Sequence, residues 1–410
     1  MSMKKIEDAF TRVDTEDLVE FVRELVRMPS YNPPGNEQPV AERVAEEMQG
    51  IGLDVVTQEV EPGRWNAVGT LRGKARRPAL LIEGHLDTVP IGAGERWIVD
   101  PFAAEIREGR IYGRGSQDNK GGVAVMVMAA RALEEAGVKL KRDVICAAVA
   151  DEEGWMRGIK HLIRSGMTEN VTECISVDGF TSSMLMRWFP GRTYGYIHVK
   201  GRTAHSGTYP PLGVGINAIH KAAKLIGEID ETPPRHPEDP VFKRSHWHCL
   251  RVEGGWDPKG ACVVPDKVTI ALDARLVTGH DPDDIWRQMQ EIIDGLKGKD
   301  EDFDAEIEVL ERRPSWEISM DEPLIRAMHA AYEQVLGVPP QYNVYPEYPS
   351  KGTMDLHWLA YEGIKCQPLI SARPGEYRES LAHRANEYAS IENLTNATKV
   401  LISTIMRLCG

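Results

Sequence analysis

The sequence predicts an α/β protein: a mostly parallel sheet with helices on both faces, interrupted by an inserted ferredoxin-like α+β domain. Two observations predict it. The apolar runs "ALLIEG", "VICAAVA" and "ECISV" are short, bounded by turn or charged residues, and separated by helical stretches such as "GGVAVMVMAARALEEAG", the alternation of a parallel sheet covered on both sides. From about residue 190 the pattern changes to β-α-β-β-α-β, the split unit of a self-contained second domain. The expected domains are therefore 1–189 with 314–410, and 190–313 between them.

The elements follow in order. Asp14 caps a helix whose apolar positions Leu18, Phe21, Val22, Leu25 and Val26 keep the 3.6 period, ending near the loop "PSYNPPGNEQ". A second helix runs over about 37–49 and stops at Gly50. In the inserted part, "TYGYIHVKG" alternates like a strand and "GINAIHKAAKLIGEI" is helical. "HCLRVEGG" and "KVTIALDARL" are strand-like, "DDIWRQMQEIIDGL" is helical, and "FDAEIEVLER" closes the unit. Then "EPLIRAMHAAYEQVLG", a βα stretch and the terminal helix "SIENLTNATKVLISTIMRL" resume the first pattern.

Length and composition bound the function. A chain of 410 residues exceeds what one core usually supports, and 42% apolar with 27% charged residues is ordinary globular composition. The formal net charge of -13, with no basic run to offset it, argues against nucleic acid or an anionic membrane as partner. The six cysteines form no C-x-x-C pair, so neither a disulfide scaffold nor a cysteine zinc site is expected. The polar N-terminus and the lack of a long apolar run lead to the expectation of a cytoplasmic protein.

Ligands of open parallel sheets bind beyond the carboxyl ends of strands. Three strand candidates end in metal-ligand types: His85 with Asp87, the triplet Asp151-Glu152-Glu153, and Asp178. Asp118 opens the apolar helix in "GRGSQDNKGG", and "LAHRANEY" supplies His383 downstream. Taken singly, a strand-end histidine is more often just hydrogen-bonded and a Glu-Glu pair is usually solvated; the coincidence of three carries the argument. The glycine-rich stretch lacks both phosphate-loop spacings, and Asp118 would repel a phosphate, so a cation explains it better. Mixed imidazole and carboxylate donors suit zinc and also accept manganese or cobalt.

Together, "GHLDTVP", "GRGSQDNKGG", "DEEG", the acid after the next strand, "GRTAHSGTYPPLGVGINAI", "CVVPDKVTIALDAR", "SKGTMD" and "AHRANEYASIENL" resemble the M20 family of metallopeptidases and deacylases, through nearly the whole chain. That family includes aminoacylase, acetylornithine deacetylase, succinyl-diaminopimelate desuccinylase, glutamate carboxypeptidase and dipeptidases. The resemblance implies a catalytic domain with two divalent metals, zinc above manganese or cobalt, and an inserted lid or dimerisation domain, hence a homodimer.

Carried over by position, the resemblance makes Asp118 the carboxylate shared by two metals, with His85 and Asp178 completing one site and Glu153 and His383 the other. It makes Glu152 the general base that takes a proton from metal-bound water and returns it to the leaving amine. Asp87 would accept a hydrogen bond from His85 and fix its tautomer, and the peptide between Asp118 and Asn119 would be cis. His205 would stabilise the oxyanion across the dimer, and Arg275, Cys262 and Gly352 would line the substrate pocket, Arg275 gripping a carboxylate.

Two positions depart from the family pattern. Cys262 stands where asparagine usually precedes "VVPD", replacing amide donors by a weak thiol donor, and Asp178 stands where many deacylases have glutamate. The expected substrate is an N-acyl amino acid or short peptide. The alternative is a non-peptidic aromatic amide or amine, suggested by Cys262 and by Trp188, Trp247, Trp256, Phe189, Tyr194 and Tyr209, though aromatics at strand spacing more often pack in a core or interface. A binding protein on the same scaffold conflicts with the retention of Glu152, Asp118 and His383, and a purely structural zinc protein with carboxylate-rich ligands.

Overall fold

The computed structural model describes residues 3–92, 96–178, 184–209, 211–256, 262–342, 352–369 and 382–410. They form two compact units: Met1–Arg187 with Ile318–Asn343 and Met354–Gly410, and Trp188–Glu317 with Val344–Thr353.

The first unit is built on a six-stranded sheet in the order Asp54–Glu61, Arg64–Leu71, Arg142–Val149, Ala75–His85, Val171–Ser176, Lys365–Pro368. The last four strands are mutually parallel, and the first two add an antiparallel edge. Successive strand side chains point to opposite faces, so the consecutive buried residues Leu80, Leu81 and Ile82 require cover on both faces of the sheet. Helix Lys120–Glu135, buried along most of its length, packs against Thr15–Val26, Ile391–Cys409 and strand Ala75–His85. The Asp14 carboxylate accepts the N–H groups of Glu16 and Asp17 at 2.8 and 3.1 Å, capping helix Thr15–Val26 as the sequence predicts.

The parallel order does the positioning. Strands Arg142–Val149, Ala75–His85 and Val171–Ser176 are neighbours, so the residues after them, Asp151 to Glu153, His85 to Asp87, and Asp178, emerge side by side at one sheet edge. A second device is a three-stranded sheet in which Tyr388–Ser390 pairs with Arg110–Tyr112, Tyr388 facing Tyr112. It brings the segment after His383 to the start of the Asp118 loop.

The second unit is a four-stranded antiparallel sheet in the order His246–Gly254, Lys267–Leu276, Gly191–Lys200, Asp304–Arg313, with helices Ala218–Glu231 and Pro282–Lys299 between strands in the chain. This is the β-α-β-β-α-β order read from the sequence. Strand Gly191–Lys200 alternates buried and half-buried residues throughout, and Ile197, Val199, Leu225, Ile270, Leu272 and Trp286 share its core.

Candidate metal centre and active site

His85 ends the third strand of the chain fully buried. Its Nδ1 lies 3.0 Å from the Asp87 carbonyl and its Nε2 lies 2.9 Å from Asp118 Oδ1. A carbonyl can only accept, so Nδ1 carries a proton and Nε2 is the atom offered to the site. Asn119 locks this arrangement: its Oδ1 accepts the His85 N–H at 3.2 Å and its Nδ2 donates to the Val177 carbonyl at 2.9 Å. Gly84 leaves the room, since a Cβ there would lie 2.6 Å from Asn119 Oδ1. The Asp118–Asn119 peptide is cis.

Asp118 is presented by an acid that sequence reasoning missed. Glu387 Oε1 accepts the N–H groups of Gly115, Gln117 and Asp118 at 3.0, 3.0 and 3.1 Å, while its Oε2 meets Arg114 Nη1 at 2.5 Å. Burial, with Asp118 nearby, pushes the Glu387 carboxyl up to about 7 against the pull of Arg114. The only sequence signal is an acid four residues beyond His383, on the same short segment.

The Asp87 carboxylate accepts the N–H of Glu152 at 3.0 Å on Oδ1 and that of Glu153 at 3.1 Å on Oδ2, with Oδ1 3.6 Å from His85 Nδ1. Asp87 therefore meets His85 most closely through its main chain, and its side chain fixes the backbone of the next strand end. Glu153 Oε1 lies 2.9 Å from His383 Nε2, which also stands 3.2 Å from Asp118 Oδ2. His383 sits in the left-handed region at φ 64, backbone strain of the kind that collects at functional sites.

Among the described residues, three groups of donor atoms converge within 4.8 Å: His85 with Asp118 and Asp178; Asp118 with Glu153 and His383; His85 with Glu152 and Glu153. All five sequence-predicted metal ligands are brought together, with Glu152 beside them. The electrostatics of these side chains are those of crowded anions. Burial and neighbouring carboxylates push Glu152 well above the usual range, Glu153 to about 7 and Asp178 to about 6. Burial opposes charge on His85, but Asp118 and Asp87 hold its imidazole well above the usual histidine range; hydrogen bonds to Asp118 and Glu153 raise His383 to about 10. Imidazoles and carboxyls alike are thus pushed toward their protonated forms, as expected of a buried donor set rich in acids. Divalent cations fit the same donors and would replace those protons.

The remaining predicted residues lie in the second unit. His205 is exposed, and its Nδ1 accepts the Gly207 N–H at 3.0 Å, which leaves Nε2 as its donor in the neutral ring. Cys262 is brought beside it: its carbonyl accepts the Ser206 N–H at 2.8 Å, and His205 bridges to Val263. Arg275, half-buried on strand Lys267–Leu276, holds Asp273 through Nε at 2.7 Å, and Arg192 binds the other oxygen. Gly352 is exposed in the Val344–Thr353 part of the unit. Of the aromatics, Trp247 packs in the core with its Nε1 on the Ile229 carbonyl at 3.0 Å, and Phe189 stacks on Trp316 with centroids 3.6 Å apart. Trp256 is 50% exposed.

Residues 81–407 match the profile described as Peptidase family M20/M25/M40. The chain belongs to this family. It is therefore a metal-dependent amide-bond hydrolase, as its site geometry allows. It is 25% identical, over an alignment 448 positions long, to an N-formyl-4-amino-5-aminomethyl-2-methylpyrimidine deformylase of Bacillus subtilis (strain 168), covering 99% of this chain and 97% of that one. Its fold is that of human carnosine dipeptidase 1, with a TM-score of 0.75 at 18% identity and 98% of each chain covered. It is also similar to the Bacillus subtilis YXEP protein, described as a dinuclear metal binding peptidase, with a TM-score of 0.68 at 16% identity over 96% of this chain and 98% of that one.

Proposed function

We propose that this M20 hydrolase uses two divalent metals, zinc or else manganese or cobalt, with Glu152 as general base, to cleave the amide of an N-acyl amino acid or short peptide. The observation that carries the reading is the sharing of Asp118 between two donor groups, one completed by His85 and Asp178 and the other by Glu153 and His383. When bound, the metals supply Lewis acidity to a substrate carbonyl and to a water.

The chain's own residues do the rest. Glu152 lies within 4.8 Å of donors on both His85 and Glu153, where a base would reach a water held between them. Its raised proton affinity suits accepting a proton and returning it to the leaving amine. His205 would donate from Nε2 to the developing oxyanion, from the second subunit of a homodimer. The exposed edge strand His246–Gly254, with Leu250 at 59% and Val252 at 54% exposure, supports such pairing. Arg275 would hold the substrate carboxylate, with Cys262 and Gly352 beside it. Six free thiols suit a reducing, cytoplasmic setting.

A second reading, a non-peptidic aromatic amide, is favoured by the deformylase relative, whose named substrate is a formylated aminomethylpyrimidine. Cys262, in place of an amide donor, supports it.

One experiment tests both readings. Metal content is measured on the purified protein, and hydrolysis of N-acyl amino acids, dipeptides and N-formyl or aryl amides is followed with and without chelator, in wild type and Glu152→Gln. About two metals per chain and chelator-sensitive turnover that disappears in Glu152→Gln support the mechanism, and the substrate group turned over selects the reading. Full activity in the chelated protein or in Glu152→Gln overturns it.

A further inference from the structure

The loop "SYNPPGNE", residues 30–37, takes no part in the metal chemistry above, yet it is stitched to the segment after His85. Ser30 Oγ donates to the Leu86 carbonyl at 2.7 Å, the Thr88 N–H to Ser30 at 3.2 Å, and the Asn32 N–H to Thr88 at 2.8 Å.

That stitching sets the Asn32 amide between two buried carboxylates. Asn32 Nδ2 donates to Asp87 Oδ2 at 2.9 Å and to Asp151 Oδ1 at 2.8 Å. Those carboxylates hold opposite ends of one turn: Asp87 takes the N–H groups of Glu152 and Glu153, while Asp151 Oδ2 takes those of Trp155 and Arg157, both at 3.2 Å. A single NH2 group uses both hydrogens to keep two anions at a fixed spacing.

A guanidinium backs the clamp. Arg64 Nη1 donates to Asp151 Oδ1 at 2.7 Å and Arg64 Nε to Glu37 Oε2 at 3.0 Å, so the loop reaches Asp151 a second time through its last residue. Two glycines leave the space. A Cβ on Gly154 would lie 2.8 Å from Asn32 Nδ2, and one on Gly35, where φ is +83, would lie 2.4 Å from Arg64 Cζ. Asp151 itself holds φ 68, a strained conformation for an aspartate that these hydrogen bonds maintain.

We propose that Asn32, supported by Arg64 and Glu37, is a positioning residue for the second metal group: by fixing the path of the Asp151–Glu153 turn it sets where Glu153 meets His383 and Asp118, and so how tightly that group holds its cation. The Asn32 side chain bonds Asp87 and Asp151, neither of which is a proposed ligand. The inference rests on the dinuclear reading above.

The test is zinc binding, read by competition with a chromogenic chelator on wild type, Asn32→Asp, Asn32→Ser and, to mark the second group, His383→Ala. Asp in place of Asn removes both donors and adds a third anion; Ser keeps one donor. The expected result is that Asn32→Asp weakens the binding step lost in His383→Ala by about 10- to 100-fold, Asn32→Ser by less, and the other step by under about threefold. Unchanged affinities overturn the proposal, as does equal weakening of both steps with a lowered melting midpoint, the mark of a merely structural role. Wild type binding fewer than two zinc ions overturns the dinuclear reading and this inference with it; two ions with an unmoved second step overturns the inference alone.

Discussion

The carboxylate of Glu387 accepts the backbone N–H of Asp118 at 3.1 Å, so the residue shared by the two donor groups is held by an acid 269 positions away. The same carboxylate is ion-paired to Arg114, and both side chains are essentially buried. Removing one member of a buried pair leaves an uncompensated charge. Glu387→Ala should therefore destabilise the first unit by about 3–5 kcal/mol in denaturant unfolding, and lower metal occupancy as well. Unchanged stability with two metals still bound would show that Asp118 does not need this support.

The proposal of Glu152 as general base makes a narrower prediction. In Glu152→Gln, kcat should fall by roughly 10²–10⁴ while metal content and KM stay close to wild type, because the amide keeps the shape and loses the base. A matching loss of metal would reassign Glu152 as a ligand.

The pH dependence has a definite sign. Without metal, Glu153 and Asp178 bind protons more tightly folded than unfolded, at about 7 against 4.5 and about 6 against 3.8, and so does His383, at about 10 against 6.5. For the carboxylates, the folded state resists the ionisation that the unfolded chain undergoes above about 4 to 4.5, so stability falls until pH reaches about 6 to 7 and then levels off. For His383, the stabilisation is whole below 6.5 and is lost as pH rises toward about 10. Both contributions lower the melting midpoint of chelated protein as pH rises. Metal competes with those same protons, so the gain in melting midpoint on adding metal should widen between pH 5 and pH 8, about the span of these shifts. A gap that narrows over this range would contradict the assignment of these residues as ligands.

Arg275 separates the two substrate readings. Arg275→Ala should raise KM about tenfold or more for substrates bearing a free carboxylate, the loss of a charged hydrogen bond, and leave a carboxylate-free formamide little changed. Equal effects on both classes would mean that Arg275 acts through Asp273 on the sheet instead of on substrate.

Gly84 tests the packing behind the site. A methyl group there would press on Asn119 Oδ1 and on Val177 Cγ2, both 2.6 Å away, with strand and helix start each fixed. Gly84→Ala should cost about 1–3 kcal/mol and disturb the group containing His85 and Asp118. An unaltered melting curve would show that the strand can shift freely.

The fold class was legible because parallel strands buried on both faces leave unbroken apolar runs, as in "ALLIEG", and strand-end ligands follow from that. The antiparallel edge pair Asp54–Glu61 and Arg64–Leu71 was not: its outer strand, "DVVTQEVE", has no fully buried residue and so no apolar period to detect. The five candidate metal donors were legible because each has a chemical type that announces itself. Glu387, Asn32 and Arg64 do not, since an acid, an amide and a guanidinium acting on backbone or on other carboxylates look like any polar loop residue until tertiary structure brings them to their partners. The tryptophans show the opposite ambiguity, and for Trp247 the commoner reading, a core residue, is the one that holds. Trp247 has the type of a pocket residue and lies in a core, because burial and cleft lining favour the same side chains.

The pairing of Tyr388 with Tyr112 also has a meaning for synthesis. A growing chain can lay down the strands ending at His85, Val149 and Ser176 early, but Asp118 waits for Glu387, and one donor group waits for His383. Until His383 has been made, the emerging protein can offer a cation only the donors of the group without it, His85, Asp118 and Asp178. Closure over such sequence distances is slow relative to local folding. On the two-metal reading, competence to bind the second ion would report that synthesis has passed His383, and a product terminated before that residue would lack one of the donors.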